Sequence, residues 1–325
     1  MIKLWRHFSE DLLQNLAHGN FPQTNERAQT PLLDNNSIAD LRERALGIID
    51  YQSKNKAVLH RQHGEHVSPR RGYGLDYEES RVYQPGDEVR FMNWRLTART
   101  GEPHIKVFLE ERRPSGFILL DARYSMRFGT RVRLKLTQAL RAATLLAFYN
   151  YYCGRSVSGL IIDDEFRWLA SSSDEQGVLG MISRMNRVCP PTNDVVKQMD
   201  FPSTLRAIQS ALTSGTQLFL ISDFLDVTDD CQAMLAQLAA EHEVSAIHIV
   251  DPAEQQLPNA GNLPFVDATN ETRRVNTSDV KLAESYQQAA QQHLMSRENL
   301  LRGLGITYVR LNTTVDNIET EIVFS

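Results

Sequence analysis

The pattern of apolar positions divides the chain near residue 116. Beyond it, Phe117-Ile118-Leu119-Leu120 and Leu218-Phe219-Leu220-Ile221 are unbroken apolar runs. Runs of this kind suit parallel strands covered on both faces. Residues 244–250 and 306–311 read as two further strands, and others fall near 157–163 and 166–170. Between them the spacing shifts to helical periodicity over about 131–152, 174–187, 203–213, 229–241 and 279–302. Gly303 and Gly305 close the last helix. Residues 263–277 read as an inserted β-hairpin. Strands alternating with helices predict an α/β fold with a doubly wound, mostly parallel, Rossmann-type sheet.

The first half is organised differently. Ile2, Trp5, Phe8, Leu12, Leu13 and Leu16 lie near helical spacing, as in a short amphipathic helix. That helix either packs on its own protein or docks on a partner or a membrane surface. Residues 18–36, rich in Asn, Gln, Pro and Thr, read as a linker. A second helix is expected from Ser37 to about Val58, with Ser37 and Asp40 resembling a capping box. From 60 to 115, short apolar runs broken by Gly72, Gly74, Pro85-Gly86 and Gly101 predict a small β-rich module. The expected organisation is N-terminal helices and linker (1–59), an Arg- and Trp-bearing module (60–115) and an α/β domain (116–325).

Composition narrows the function classes. The 325 residues carry 35 basic and 40 acidic side chains, a net charge of −5, which argues against a chain-wide nucleic-acid binder. Cys153, Cys189 and Cys231 lie far apart, so neither a disulfide framework nor a cysteine zinc site is expected. The best candidate for a membrane span, 142–154, is too short to cross a bilayer. The N-terminus lacks the apolar core of a signal peptide. A cytoplasmic location is the expectation. The chain holds no GxxxxGK[ST], HExxH or GxSxG motif, and a non-enzymatic role is expected.

Ligands of doubly wound sheets bind beyond the carboxyl ends of the strands, where the strand order reverses. Asp121, Arg123 and Ser125 follow one strand, Ser222 and Asp223 end another, and Ser203-Thr204 open a helix between them. Carboxylates and hydroxyls converging there suit a hard cation such as Mg²⁺. The plainer reading is that Asp121 and Asp223 only cap the helices that follow.

Asp121, Ser125, Thr204 and Asp223 resemble the metal-ion-dependent adhesion site of von Willebrand factor A domains, Asp-x-Ser-x-Ser with a separate Thr and a later Asp. Upstream, Arg70-Arg71-Gly-Tyr-Gly-Leu-Asp-Tyr-Glu-Glu, Tyr83-Gln-Pro-Gly-Asp87, Asn93-Trp94-Arg95, Thr97-Ala-Arg99 and Glu110-Glu111-Arg112 resemble the signature of the bacterial "domain of unknown function 58" family. The resemblance covers about 60–325, leaves 1–36 outside, and implies a von Willebrand A-like domain. Arg123 departs from the motif, which has Ser there. A guanidinium pointing inward would pair with Asp121 or Asp223 and leave Mg²⁺ binding weak or absent. Turned outward, it would leave a metal to the other four residues. The resemblance further implies partnership with a MoxR-type AAA+ ATPase, often with other von Willebrand A proteins, in chaperone-like maturation or assembly of other proteins. The alternative is a Mg/Mn-dependent hydrolase using Asp121 and Asp223 as metal ligands.

The span 60–113 holds ten basic and nine acidic residues, a balance that disfavours nucleic acid. It reads either as a solvated, salt-bridged surface or as a docking face built on Trp94, Arg95, Arg99 and Arg71, residue types that dominate interface hot spots. Tyr83-Gln-Pro-Gly-Asp reads as a type II turn with Asp87 placed to hold a neighbouring arginine such as Arg90. His60, His63 and His66 read as a loop. Asp163-Asp164-Glu165 reads as a hairpin turn.

Overall fold

A computed structural model describes residues 32–63, 76–109, 115–186, 199–266 and 272–322. The chain forms two compact units, one drawn from 1–53 and 114–325, the other from 54–113.

In the larger unit, a central six-stranded sheet is built from β3 (Ser115–Asp121), β4 (Ser156–Ile162), β5 (Phe166–Ser172), β6 (Gln217–Ser222), β7 (Glu243–Val250) and β10 (Thr307–Asn312). The order is β10-β7-β6-β3-β4-β5. All neighbours run parallel except β5, which returns antiparallel to β4 across the Asp163-Asp164-Glu165 turn. The inserted hairpin forms from β8 (Asn262–Val266) and β9 (Thr272–Asn276).

The apolar runs are explained by two cores, one on each face. Ile118, Leu120, Phe219, Ile221, Ile247, Ile249, Val309 and Leu311 point to one side. There they meet α1 (Asn35–His63), α3 (Lys135–Tyr152), α4 (Glu175–Asn186) and α9 (Ile318–Ile322). Phe117, Leu119, Leu218, Leu220, Val244, Ala246 and Tyr308 point to the other. Their partners are α5 (Phe201–Ala211), α6 (Asp229–Glu241) and α8 (Val280–Gly303). Successive strand residues thus enter opposite cores, and each fully buried large side chain is worth about 1.5–3 kcal/mol.

Helix α1 starts earlier than its expected cap. Asp34 accepts from the Ser37 amide (2.8 Å), so the capping side chain is Asp34 and not Ser37. Leu33, Leu41, Ala45 and Ile48 bury into the first core. The helix extends past the expected boundary at 59/60. His60 and His63 are therefore helical, not looped; His66 and the expected helix at 2–17 lie outside the described residues.

In the smaller unit, β1 (Asp76–Val82) pairs antiparallel with β2 (His104–Leu109). A short helix, α2 (Trp94–Thr100), joins them, which the strand-rich expectation missed. Its signals were present: Asn93 accepts from the Leu96 amide (3.2 Å), and Gly101 takes φ 80° just past the end. Arg81 holds Asp87 through two bonds of 2.7 and 2.8 Å, correcting the expected Asp87–Arg90 pair. Arg90 instead pairs with Glu88 and lies 4.8 Å from the Phe91 ring centre.

Beneath the strand ends, His248 of β7 is fully enclosed and shares a 2.7 Å hydrogen bond with the Tyr308 hydroxyl. Phe224 packs edge-on against it. Burial pulls its pKa from 6.5 to about 3, against Asp223 and with help from Lys135, Arg297 and His293. His293, mostly buried, falls to about 4 for the same leading reason. Both imidazoles stay neutral in the fold while an unfolded chain takes up protons below about 6.5, so stability drops as pH falls from there toward 4. The expected slope is up to about 1.4 kcal/mol per pH unit per histidine. Urea unfolding at a series of pH values reads this slope, and His248→Asn should reduce it.

Candidate functional site

The chain lays down β3, β4 and β5 to one side, then crosses over to lay down β6, β7 and β10 on the other. The order therefore reverses between β3 and β6, and the loops leaving their carboxyl ends diverge and open a crest. Asp121 is the last residue of β3, and Asp223 follows the last residue of β6.

Asp121 is fully buried and accepts four bonds: from the Arg123 amide (3.0 Å), Arg123 Nε (2.9 Å), Arg123 Nη2 (2.7 Å) and Ser222 Oγ (2.6 Å). The Arg123 guanidinium continues to Asp226, donating from Nη1 and, at 3.0 Å, from Nη2. Burial alone would weaken this cation; Asp121 and then Asp226 outweigh that and raise its pKa. Arg123 thus points inward, with Asp121 as one partner. Asp226, a residue the sequence reading did not single out, is the other.

Asp223 has a different cation. Lys135 Nζ donates to it at 2.9 Å and to Glu254 at 2.6 Å, with Lys135 and Asp223 almost wholly excluded from solvent. Burial would lift the Asp223 pKa, but Lys135 overrides it; with Arg123 and the Ser125 hydroxyl it brings the group down to about 2. Glu254 goes the other way, raised by burial despite Lys135. It also accepts from the Asp251 amide (2.8 Å), while Asp251 caps α7 (Pro252–Gln255) and binds Thr130 and Thr313.

The backbone is forced to fit this arrangement. Phe224 sits at φ 51°, a left-handed conformation costly for a bulky residue. Its amide donates to Ser222 Oγ (3.0 Å), and its ring wedges between Phe201 and His248. At Gly129, a Cβ would come within 2.3 Å of the Arg133 carbonyl oxygen. Only glycine lets that loop fold back far enough to deliver Lys135.

Of the four motif residues, Asp121, Ser125 and Asp223 belong to this network. Thr204 is buried but turns its hydroxyl onto the Asp200 carbonyl (2.8 Å) of its own helix. Neither aspartate acts as a helix cap: Asp200, Asp251 and Asp279 do that work. A divalent cation needs oxygens with uncompensated charge, and here Asp121 and Asp223 each already hold a cationic side chain, so the residues do not fit one. Among the described residues, no three of His, Cys, Asp and Glu are grouped to hold a metal.

In the smaller unit, Trp94 is 65% exposed. Arg95 and Arg99, one helical turn apart on the same short helix, are exposed too, as are Val82 and Val89 elsewhere in this unit. Arg71 lies outside the described residues.

The fold and crest define an α/β protein whose strand-end site is closed by its own cations. The family model "Protein of unknown function DUF58" matches residues 79–296, and the chain belongs to that family. It is 30% identical over 254 residues to "Uncharacterized protein Rv1480" of Mycobacterium tuberculosis and to "Uncharacterized protein Mb1516" of Mycobacterium bovis, covering 78% of this chain and 80% of each relative. Among solved structures it is similar to BatB from Bacteroides thetaiotaomicron, with TM-score 0.41 and 14% identity over 62% of this chain and 91% of that one. An aerotolerance-related membrane protein from Bacteroides fragilis gives TM-score 0.39 and 15% identity over 65% and 100%. Neither likeness is close enough to carry a conclusion. Among the described residues, no helix is long and apolar enough to cross a membrane.

Removing Arg123 would strand Asp121 as a buried, unmatched charge. Arg123→Ala should cost about 3–5 kcal/mol in urea unfolding. Asp226→Asn, at a carboxylate 39% exposed, should cost about 1 kcal/mol or less.

Proposed function

We propose that this protein is a non-enzymatic interaction module with a von Willebrand A-like domain, working with a MoxR-type AAA+ ATPase in chaperone-like maturation or assembly of other proteins. The observation that carries the reading is the crest itself. Its carboxylates sit at the switch point where such sheets bind ligands, yet each is neutralised by an internal cation, Asp121 by Arg123 and Asp223 by Lys135. That is the chemistry of a degenerate adhesion site, built to hold a shape against a partner. The ATPase partner rests on the family resemblance of the Arg- and Trp-bearing motifs. Exposed Trp94 with Arg95 and Arg99 supplies side chains suited to a second contact. On this reading the protein works in the cytoplasm, where the ATPase has its nucleotide.

The hydrolase alternative needs Asp121 and Asp223 free to ligate Mg²⁺ or Mn²⁺, and both are engaged by cations. It would show itself as metal-dependent phosphatase or nuclease turnover that Asp223→Ala abolishes.

Pull-down of the full-length protein with the MoxR-type ATPase of the same genome, in ATP and in ADP, is the direct test. Association is expected, and Trp94→Ala or Arg95→Glu should weaken it by about tenfold or more. No association with either nucleotide would overturn the proposal.

A further inference from the structure

We propose that Lys135 is a tethered replacement for a divalent cation: its ammonium fills a position among Asp223, Glu254 and the crest loops that would take a hard metal ion if the side chain were removed. The proposal deepens the reading of the crest as a degenerate adhesion site and rests on it for its meaning, though its geometry stands alone.

Three features make Lys135 unlike an ordinary structural lysine. It is among the largest side chains fully buried in the described structure, and lysine is almost never found so. It opens α3, an 18-residue helix, where the positive end of the helix dipole disfavours a cation. It is nonetheless held there by two carboxylates from two different segments, Asp223 in the loop after β6 (2.9 Å) and Glu254 in α7 after β7 (2.6 Å). Burial and helix position both oppose the charge, so the carboxylates are what retain it.

The surroundings are those of an ion site. Carboxylate oxygens from the segments after β6 and after β7 meet around one compact charge. An ammonium is a point charge with three donors and makes no geometric demand like the guanidinium fork. Glu254 has its other oxygen fixed by the Asp251 amide, and Asp223 accepts the Leu225 amide (3.3 Å) through its second oxygen. The carboxylates are thus oriented by the backbone before the cation is counted. Without Lys135 they would leave two negative charges facing one space. All-oxygen sets of that kind, completed by water, suit Mg²⁺ or Mn²⁺. The consequence for the native protein is a crest whose charge balance, and hence shape, is independent of the divalent ions around it.

Manganese titration of the full-length protein, followed by the electron paramagnetic resonance signal of free Mn²⁺ and by thermal unfolding, tests this. Wild type should neither bind Mn²⁺ at this site nor gain stability from it. Lys135→Ala should bind Mn²⁺ at least about tenfold more tightly than wild type and unfold at higher temperature when Mn²⁺ is present. Lys135→Ala combined with Asp223→Asn should lose that gain. Wild type that binds Mn²⁺ as well as the variant would overturn the proposal. So would Lys135→Ala that takes up no Mn²⁺ when folded, or that stays unfolded even with Mn²⁺ supplied. None of these results depends on an ATPase, so failure here is separable from failure of the partner proposal.

Discussion

Two buried carboxylates at the ends of adjacent central strands have to be neutralised, and the rest of the crest follows from how that is done. A carboxylate in a low-dielectric interior is tolerated only when matched by opposite charge and hydrogen bonds. Asp121 is matched by a residue two positions along its own loop, Asp223 by the first residue of the next helix. The first solution is local and rigid, because a guanidinium fork binds Asp121 and Asp226 together. The second joins the segments after β6 and β7 through one ammonium. Both leave the site complete without anything from outside.

The sheet order makes this arrangement possible. Reversal between β3 and β6 opens a space that the loops after β3, β6 and β7 surround, and the two apolar cores hold those strands in fixed register. Strain gathers at the same place. Phe224 adopts a left-handed backbone, and Gly129 permits a contact no side chain would allow. Backbone cost of this kind persists where the surroundings over-determine the conformation, and it clusters at functional positions. Here it aims Asp223 and delivers Lys135.

The proposed role in recognition rests on the crest and not on the family, whose function is unknown. An interaction site benefits from a surface whose shape does not change with the supply of a cofactor. A hydrolytic site needs a group left free to act on substrate, and the central carboxylates of this crest are engaged.

Much of the fold was legible because its driving force is local in the sequence. Unbroken apolar runs, helical stripes and turn residues forecast the alternation of strands and helices, the hairpin insertion and the position of Asp121, Ser125 and Asp223 at strand ends. The sequence left the turn of Arg123 open between inward and outward; the structure turns it inward, onto Asp121 and Asp226. The α2 helix was missed although Asn93 and Gly101 marked its ends, because seven residues carry too little periodicity to register. Asp87 does hold a neighbouring arginine, but it is Arg81 and not Arg90, because the turn at 84–87 folds Asp87 back toward the end of β1. Thr204 failed because a helix offers a hydroxyl its own carbonyl four residues back. Lys135, Asp226 and Glu254 had no comparable signal beyond a lysine between two leucines at a helix start. Their partners lie 88, 103 and 119 residues away along the chain, and only the pairing of β6 with β3 and of β7 with β6 brings them together. The sequence by itself determined which residues had to be buried and which strands had to be central, since hydrophobic periodicity is a property of neighbours along the chain. Which cation neutralises which carboxylate was decided only by tertiary structure, because Coulomb attraction depends on distance in space, and the chain sets that distance only once it is folded.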